Sequence, residues 1–288
     1  MQPAVSIVIS YYRQSEFLLD AVRSALAQTY SNVDVIVVDD CCPDASALEL
    51  LEPCAGARMK VLRHAESRGL AATRNTGVKS AAGELIVPLD ADDMLAADYL
   101  EIMVPLLEDD SIAAVYSRVQ YIGAEEGTWL PKLGLPDSLF EGIPATFLYR
   151  KKVFEELGGY DLRACAAPDR PFVISLLWAG YKMIAADQPL YQRRKHDGQF
   201  TSRPSAAAEM IRCSLAVRGD LYEQYLTEVV AIGAAAWGRE ASKILQTKCE
   251  LQELTISVGH TQILPPAINV SALRRSSARN GPAAEVLV

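Results

Sequence analysis

The chain has 288 residues, half of them apolar, and 36 acidic against 28 basic side chains give it a formal net charge of −8. This is enough for one large core or a core with a small appendage, and the acidic balance excludes a general nucleic-acid binder, which would carry a basic face. Six cysteines without a Cys-x-x-Cys pair or regular spacing suit neither a disulfide framework nor a zinc site, which points to a reducing cytoplasm.

Residues 1–10, MQPAVSIVIS, lack the basic n-region of a signal peptide, and no stretch approaches the roughly 18 apolar residues of a membrane span. Val5–Ser10 reads as a short buried strand. Ser15 is placed to cap a helix whose apolar residues Phe17, Leu18, Ala21, Val22, Ala25 and Leu26 recur on one face. Val33–Val38 is a β-branched run that ends in Asp39 and Asp40 and then in the turn residues "CCPD". A helix around Ala45–Leu51 and a strand over Lys60–Arg63 follow. The small residues of "GLAATRNTGVKSAAG" predict a closely packed helix with Gly83 as its stop. Leu85–Leu89 is the next strand, and it runs into Asp90, Asp92 and Asp93.

Strands that alternate with helices and read as unbroken apolar runs predict an α/β fold with a mostly parallel central sheet covered on both faces. Ligands of such sheets bind beyond the carboxyl ends of the strands. Both acidic clusters fall at such ends, so the fold should bring them to one rim. Clustered carboxylates repel unless a positive partner joins them, and hard oxygen ligands of this kind suit Mn²⁺ or Mg²⁺. The competing reading makes Asp92 and Asp93 caps of a helix starting near Ala96. The first strand leads into "SYYRQSEF", which has neither G-x-G-x-x-G nor a P-loop. Residues 120–145, rich in Gly and Pro, read as a long irregular loop with Trp129 and Phe140 as either ligand-stacking faces or buried anchors. Residues 206–254 read as helices, with apolar positions at Leu221, Tyr225, Val229, Ile232 and Ala236 that suit packing on the core or on a second copy. From about Leu264 no period remains, and Arg274, Arg275 and Arg279 leave peripheral membrane contact open.

The segments "VSIVISYYR", "VIVVDDCCPD", "GLAATRNTGVKSAAGELIVPLDADD", "LGGYD", "AGYKM" and "LYQRRKHDG", in this order, closely resemble the family 2 glycosyltransferases over residues 4–203. That resemblance implies the nucleotide-sugar-binding GT-A fold over residues 1–204, with a helical region at 205–263 and a flexible tail at 264–288. It implies inverting transfer of a sugar from a nucleotide-diphosphate donor, UDP-linked by preference, to a hydroxyl of a glycan or other acceptor, with a divalent cation as cofactor. By the same resemblance Asp40 meets the nucleobase with Ser10 beside it, Asp39 assists or orients the turn, and Arg74 helps hold the nucleotide. Asp90 and Asp92 form the Asp-x-Asp motif, Asp90 near the ribose or metal-bound water and Asp92 on the metal, with Asp93 in support. His196 reaches the diphosphate or the metal, beside the basic residues Arg193, Arg194 and Lys195. Counting back from Ala179-Gly180-Tyr181-Lys182 puts Asp169 at the catalytic base, although Pro168 replaces the first acid of the usual pair. Cys41 and Cys42 read as packing residues. A non-catalytic nucleotide-sugar binder and a sugar nucleotidyltransferase are the rival readings, and the C-terminal helices are the candidate surface for a homo-oligomer.

Overall fold

Four apolar runs from the first ninety residues become parallel neighbours. In the computed structural model they are β1 (Val5–Tyr11), β2 (Val33–Asp39), β3 (Met59–Arg63) and β4 (Leu85–Asp90), ordered β3-β2-β1-β4. The structure describes residues 2–224, except 55, 57, 136, 137, 139–141, 165, 166 and 203–205, together with 286 and 287. Register carries the acids to one rim, because Ser10 lies opposite Asp90 on one side of β1 and Tyr11 lies opposite Asp39 on the other.

Period-two alternation sends the strand residues into two cores. Ile7, Ile9, Val35 and Val37 pack under α1 (Ser15–Leu26), which buries Leu18, Ala21, Val22 and Ala25. Val8, Ile36 and Val38 face α3 (Leu70–Ser80) and its Ala71 and Val78. Each fully buried aliphatic side chain here stabilises by about 1.5–3 kcal/mol. A Cβ on Gly77 would stand 2.2 Å from Val8 Cγ1, so the glycine lets α3 lie close on β1. Two local expectations are corrected. Gln14, not Ser15, is the N-cap of α1, and it makes no side-chain capping bond. Gly83 does not stop α3, which ends at an extended Ala81. The Gly83 N–H instead donates to Ser6 Oγ at 2.9 Å, and a Cβ there would meet Ser6 N at 2.6 Å.

After β2 the expected helix is shorter, α2 (Ala47–Leu50), followed by a 3-10 turn over Glu52–Cys54. Beyond β4 come β5 (Met94–Leu95), α4 (Tyr99–Met103), β6 (Ile112–Gly123), β7 (Gly127–Trp129), β8 (Leu148–Arg150), α5 (Lys151–Glu156), α6 (Asp169–Trp178), β9 (Lys182–Lys195) and α7 (Ala206–Gln224). The sheet continues from β4 through β8, β6 and β9, and β8 runs antiparallel to both neighbours. β10 (Val286–Leu287) is parallel to β9. The reading of 120–145 as one irregular loop is therefore corrected. Its first part completes β6 and forms an antiparallel hairpin with β7, in which Val119 pairs with Trp129. Polar residues hid β6, which is held by its long parallel pairing with β9 as well as by apolar burial. α6 stops at Gly180, whose φ of +84° suits the left-handed stop. α7 kinks at Arg218 and docks on α6, where Leu221 meets Ile174. Phe140, Tyr225, Val229, Ile232, Ala236 and the arginines at 274, 275 and 279 lie outside the described residues. Among the described residues no helix is long and apolar enough to cross a membrane.

Candidate active site

A cleft of about 840 Å³ opens where the strands end, and its wall includes Ser10, Tyr12, Asp40, Asp90, Asp92, Asp93, Trp129, Asp169, Arg193 and Gln199. Of the residues singled out in the sequence, Asp39, Arg74 and His196 are absent from that wall. Asp39 is turned inward, where it accepts from Cys42 N at 2.8 Å, Ala47 N at 3.0 Å and Arg63 Nη1 at 2.6 Å. It organises the turn after β2 and the start of α2.

Asp40 emerges on the opposite side. Its Oδ1 accepts from Arg68 N at 2.9 Å and lies 2.6 Å from His64 Nδ1, while Oδ2 accepts from Ser67 Oγ at 2.8 Å and Gly69 N at 2.9 Å. Burial pushes its carboxyl up, and these donors outweigh burial and hold it below the usual carboxylate range. His64 in turn reaches Thr76 Oγ1 at 2.9 Å. Beside Asp40, Ser10 Oγ is buried and has no hydrogen-bond partner among the described residues. It is an acceptor and donor held ready in the cleft wall.

The "DADD" segment stands across from this end. Oxygens of Asp90, Asp92 and Asp93 lie within 4.8 Å of one another. Neither Asp92 nor Asp93 caps a helix, since α4 begins at Tyr99 with Asp98 before it. Asp93 is the most committed, accepting from Arg194 N at 2.8 Å and from the Tyr191 hydroxyl. Burial first, then the charges of Asp92 and Asp90, push its carboxyl well up. Burial also raises Asp90, with Asp92 and Asp169 adding to the rise and Arg74 opposing it. Asp92 Oδ2 lies 3.0 Å from His196 Nε2, and the imidazole packs on Phe17 at 4.7 Å between ring centres. The oxygens of Asp90, Asp92 and Asp93, which repel one another, fit a hard divalent cation, and the His196 imidazole stands against Asp92.

Asp169 begins α6 after Pro168 and lines the same cleft. Arg74 donates to Asp169 Oδ1 through Nη1 and to Asp90 Oδ1 through Nη2, the latter at 2.9 Å. Of the basic run after Tyr191, only Arg193 lines the cleft. Arg194 is pinned over the Phe17 ring at 4.6 Å, and Lys195 over the Tyr121 ring at 4.8 Å. Trp129 lines the far wall and also packs on the core, and its indole ring lies where a Cβ on Gly142 would come within 2.6 Å.

Sequence reasoning missed His64, Tyr191 and Gln199. His64 follows directly on β3, so asking what stands after each rim-facing strand would have found it. Tyr191 reaches Asp93 across 98 residues, which no local pattern announces, while Gln199 reaches the wall from a turn in which its Nε2 donates to Arg194 O. The packing role read for Cys42 fits its burial. Its thiol, pushed up by burial, is nonetheless held below its ordinary value by hydrogen bonds, Arg13 N–H at 3.3 Å among them.

A family model described as glycosyl transferase family 2 matches residues 6–160, more than half of the chain. The chain belongs to this family. Among curated relatives, the uncharacterized glycosyltransferase EpsJ of Bacillus subtilis is 28% identical over 226 residues, 71% of this chain and 64% of that protein. The Escherichia coli UDP-Glc:alpha-D-GlcNAc-diphosphoundecaprenol beta-1,3-glucosyltransferase WfgD is 36% identical over 98 residues, 34% of this chain and 38% of its own. The chain therefore spans less than two thirds of the length of these relatives. Two solved structures share the fold at 18% identity and a TM-score of 0.56. Staphylococcus aureus TarS 1–349 in complex with UDP-GlcNAc covers 84% of this chain and 70% of its own. The Pyrobaculum calidifontis mannosyltransferase PcManGT, in complex with GDP-Man and Mn²⁺, covers 87% and 81%. The sheet, with β1–β4 parallel and β8 reversed between β4 and β6, is thus the GT-A fold.

Proposed function

We propose that the chain is an inverting glycosyltransferase that moves a sugar from a nucleotide-diphosphate donor, UDP-linked by preference, to a hydroxyl of a glycan acceptor. The observation that carries this reading is that Asp169 lines the same cleft as Asp40, Asp90 and Asp92. The names of the relatives support it, since TarS binds UDP-GlcNAc and WfgD carries UDP-Glc in its name.

In this reading Ser10 and the Asp40 turn receive the nucleoside. Asp92, with Asp90 and Asp93 beside it and His196 against it, would hold Mn²⁺ or Mg²⁺, and such an ion would supply positive charge against the donor diphosphate. Arg193 adds a fixed positive group on the same wall. A carboxylate oxygen of Asp169 accepts the proton of the acceptor hydroxyl as its oxygen attacks the anomeric carbon from the face opposite the diphosphate, so the configuration inverts. General-base help of this kind contributes about 10² to 10⁴ in rate, or about 3–5 kcal/mol of barrier.

Asp169→Asn tests it. The variant keeps the shape at the start of α6 but cannot take the proton, so donor affinity by calorimetry should stay within about two-fold while single-turnover transfer falls roughly 10²-fold or more. Transfer within a few-fold of the parent would remove Asp169 from catalysis. Metal-dependent donor binding by a parent that neither transfers nor hydrolyses donor would favour a non-catalytic binder.

A further inference from the structure

Arg74 lies on α3 beneath the cleft. Its side chain is 1% exposed, and it is not part of the cleft wall. Both terminal nitrogens of its guanidinium are committed, Nη2 to Asp90 and Nη1 to Asp169. Burial works against its positive charge, and Asp169 and Asp90 outweigh that and hold it firmly protonated. These bonds use two of its five N–H groups, and Nε is buried without a partner among the described residues. It is burial under the cleft floor, with the fork turned to two carboxylates, that keeps the guanidinium from a phosphate or a base.

The next residue fixes the frame. Asn75 Nδ2 donates to Tyr160 O at 2.7 Å, and Tyr160 N donates back to Asn75 Oδ1 at 2.9 Å. The Tyr160 ring lies 5.5 Å from Arg74 Cζ. Gly159, with φ +82°, is needed here because a Cβ would stand 2.9 Å from Asn75 Oδ1. The Arg74-Asn75 pair thus ties α3 to the chain leading into α6, whose first residue is Asp169.

We infer that Arg74 is a positioning residue: its fork sets the place of Asp169 relative to Asp90 and does not touch the donor. This rests on the reading of Asp169 as the base. Asp169, Asp90 and Asp92 carry like charge and would separate without a cation between them. Only a planar fork serves two carboxylates in fixed directions, which a lysine ammonium does not do. A displacement of about 1 Å in a reacting group is enough to cost about 10² in rate.

The test uses Arg74→Lys, Arg74→Gln and Asp169→Asn in the full chain. Metal-free affinity for UDP, read by calorimetry, should stay within about two-fold in Arg74→Lys. Single-turnover transfer at saturating donor should fall about 10- to 100-fold, so that the loss appears in kcat and not in KM. A second measurement needs no turnover. In urea unfolding, Arg74→Gln combined with Asp169→Asn should lose clearly less than the sum of the two single losses, because they remove one interaction. If Arg74→Gln does not fold, Arg74→Lys closes the same cycle. A tenfold loss of UDP affinity in Arg74→Lys, or an additive cycle, overturns the inference. A non-additive cycle with unchanged UDP affinity in a parent that transfers no sugar upholds the pairing and places the fault in the assignment of Asp169 as base.

Discussion

Replacing Asp40 by Asn tests the nucleoside end of the cleft most directly. The carboxylate receives Arg68 N–H and faces His64 Nδ1 on one oxygen, and receives the Ser67 hydroxyl and Gly69 N–H on the other. An amide keeps one oxygen and puts an NH₂ where the other was. In either orientation that NH₂ faces a backbone N–H, of Arg68 or of Gly69. Residues 66–68 are exposed and water can reach them, so two weakened bonds cost about 1–2 kcal/mol each, about 2–4 kcal/mol together. For a chain of this size that lowers Tm by about 5–15 °C. Metal-free UDP affinity should fall about tenfold, because the turn that frames the base loosens. The acid limb should change too. Asp40 in the folded chain titrates below its unfolded value of about 3.9. Its contribution is therefore full above that value and is lost as pH falls through the folded pKa. The parent should lose more Tm than Asp40→Asn on going from about pH 5 to pH 3. Circular dichroism melts and calorimetry read all three. A melt within about 2 °C of the parent, with unchanged UDP affinity, would refute the reasoning.

Two further predictions follow from contacts that do not involve Asp40. Gly83→Ala puts a Cβ 2.6 Å from Ser6 N and 2.8 Å from Val5 C, so β1 must shift and stability should fall by about 2–4 kcal/mol in urea titration; a loss under about 0.5 kcal/mol would show that the strand yields freely. Asp92→Asn should abolish the Mn²⁺-dependent part of UDP binding while the fold persists. Calorimetry with and without Mn²⁺ checks this, and an unchanged Mn²⁺ dependence would remove Asp92 from the metal site.

The β1–β4 half was legible because β1, β2 and β4 are buried on both faces and read as unbroken apolar runs. The roles of Asp39 and Asp40 were legible only in part. Adjacent strand residues point to opposite faces, so one acid shares the side of Val35 and Val37 and is consumed by the turn, while the next reaches the cleft. Pattern alone shows that they differ, and the register of the sheet shows which is which. β6 and β9 were harder, since Gln120, Arg193 and Lys195 are polar residues in paired strands at the rim. Arg74 could be matched but not placed. Helical periodicity does not reveal that the arginine lies under the cleft, because its partner Asp169 is 95 residues away.

The reversed strand β8 divides the sheet according to the order of synthesis. One half is built from residues 5–90 and the other chiefly from 112–195. Asp40, Asp90, Asp92 and Asp93 are made with or just after the first half, together with Arg74. Tyr191, Arg194 and His196, which bind or face those acids, and Asp169, which shares Arg74, are made with the second. Both apolar cores draw on the two halves, since Val115, Leu148 and Tyr191 belong to the core under α1 and Ala114, Tyr149 and Phe172 to the one against α3. The packing that completes them therefore also covers Asp93 with Tyr191 and Arg194 and brings Asp169 to Arg74.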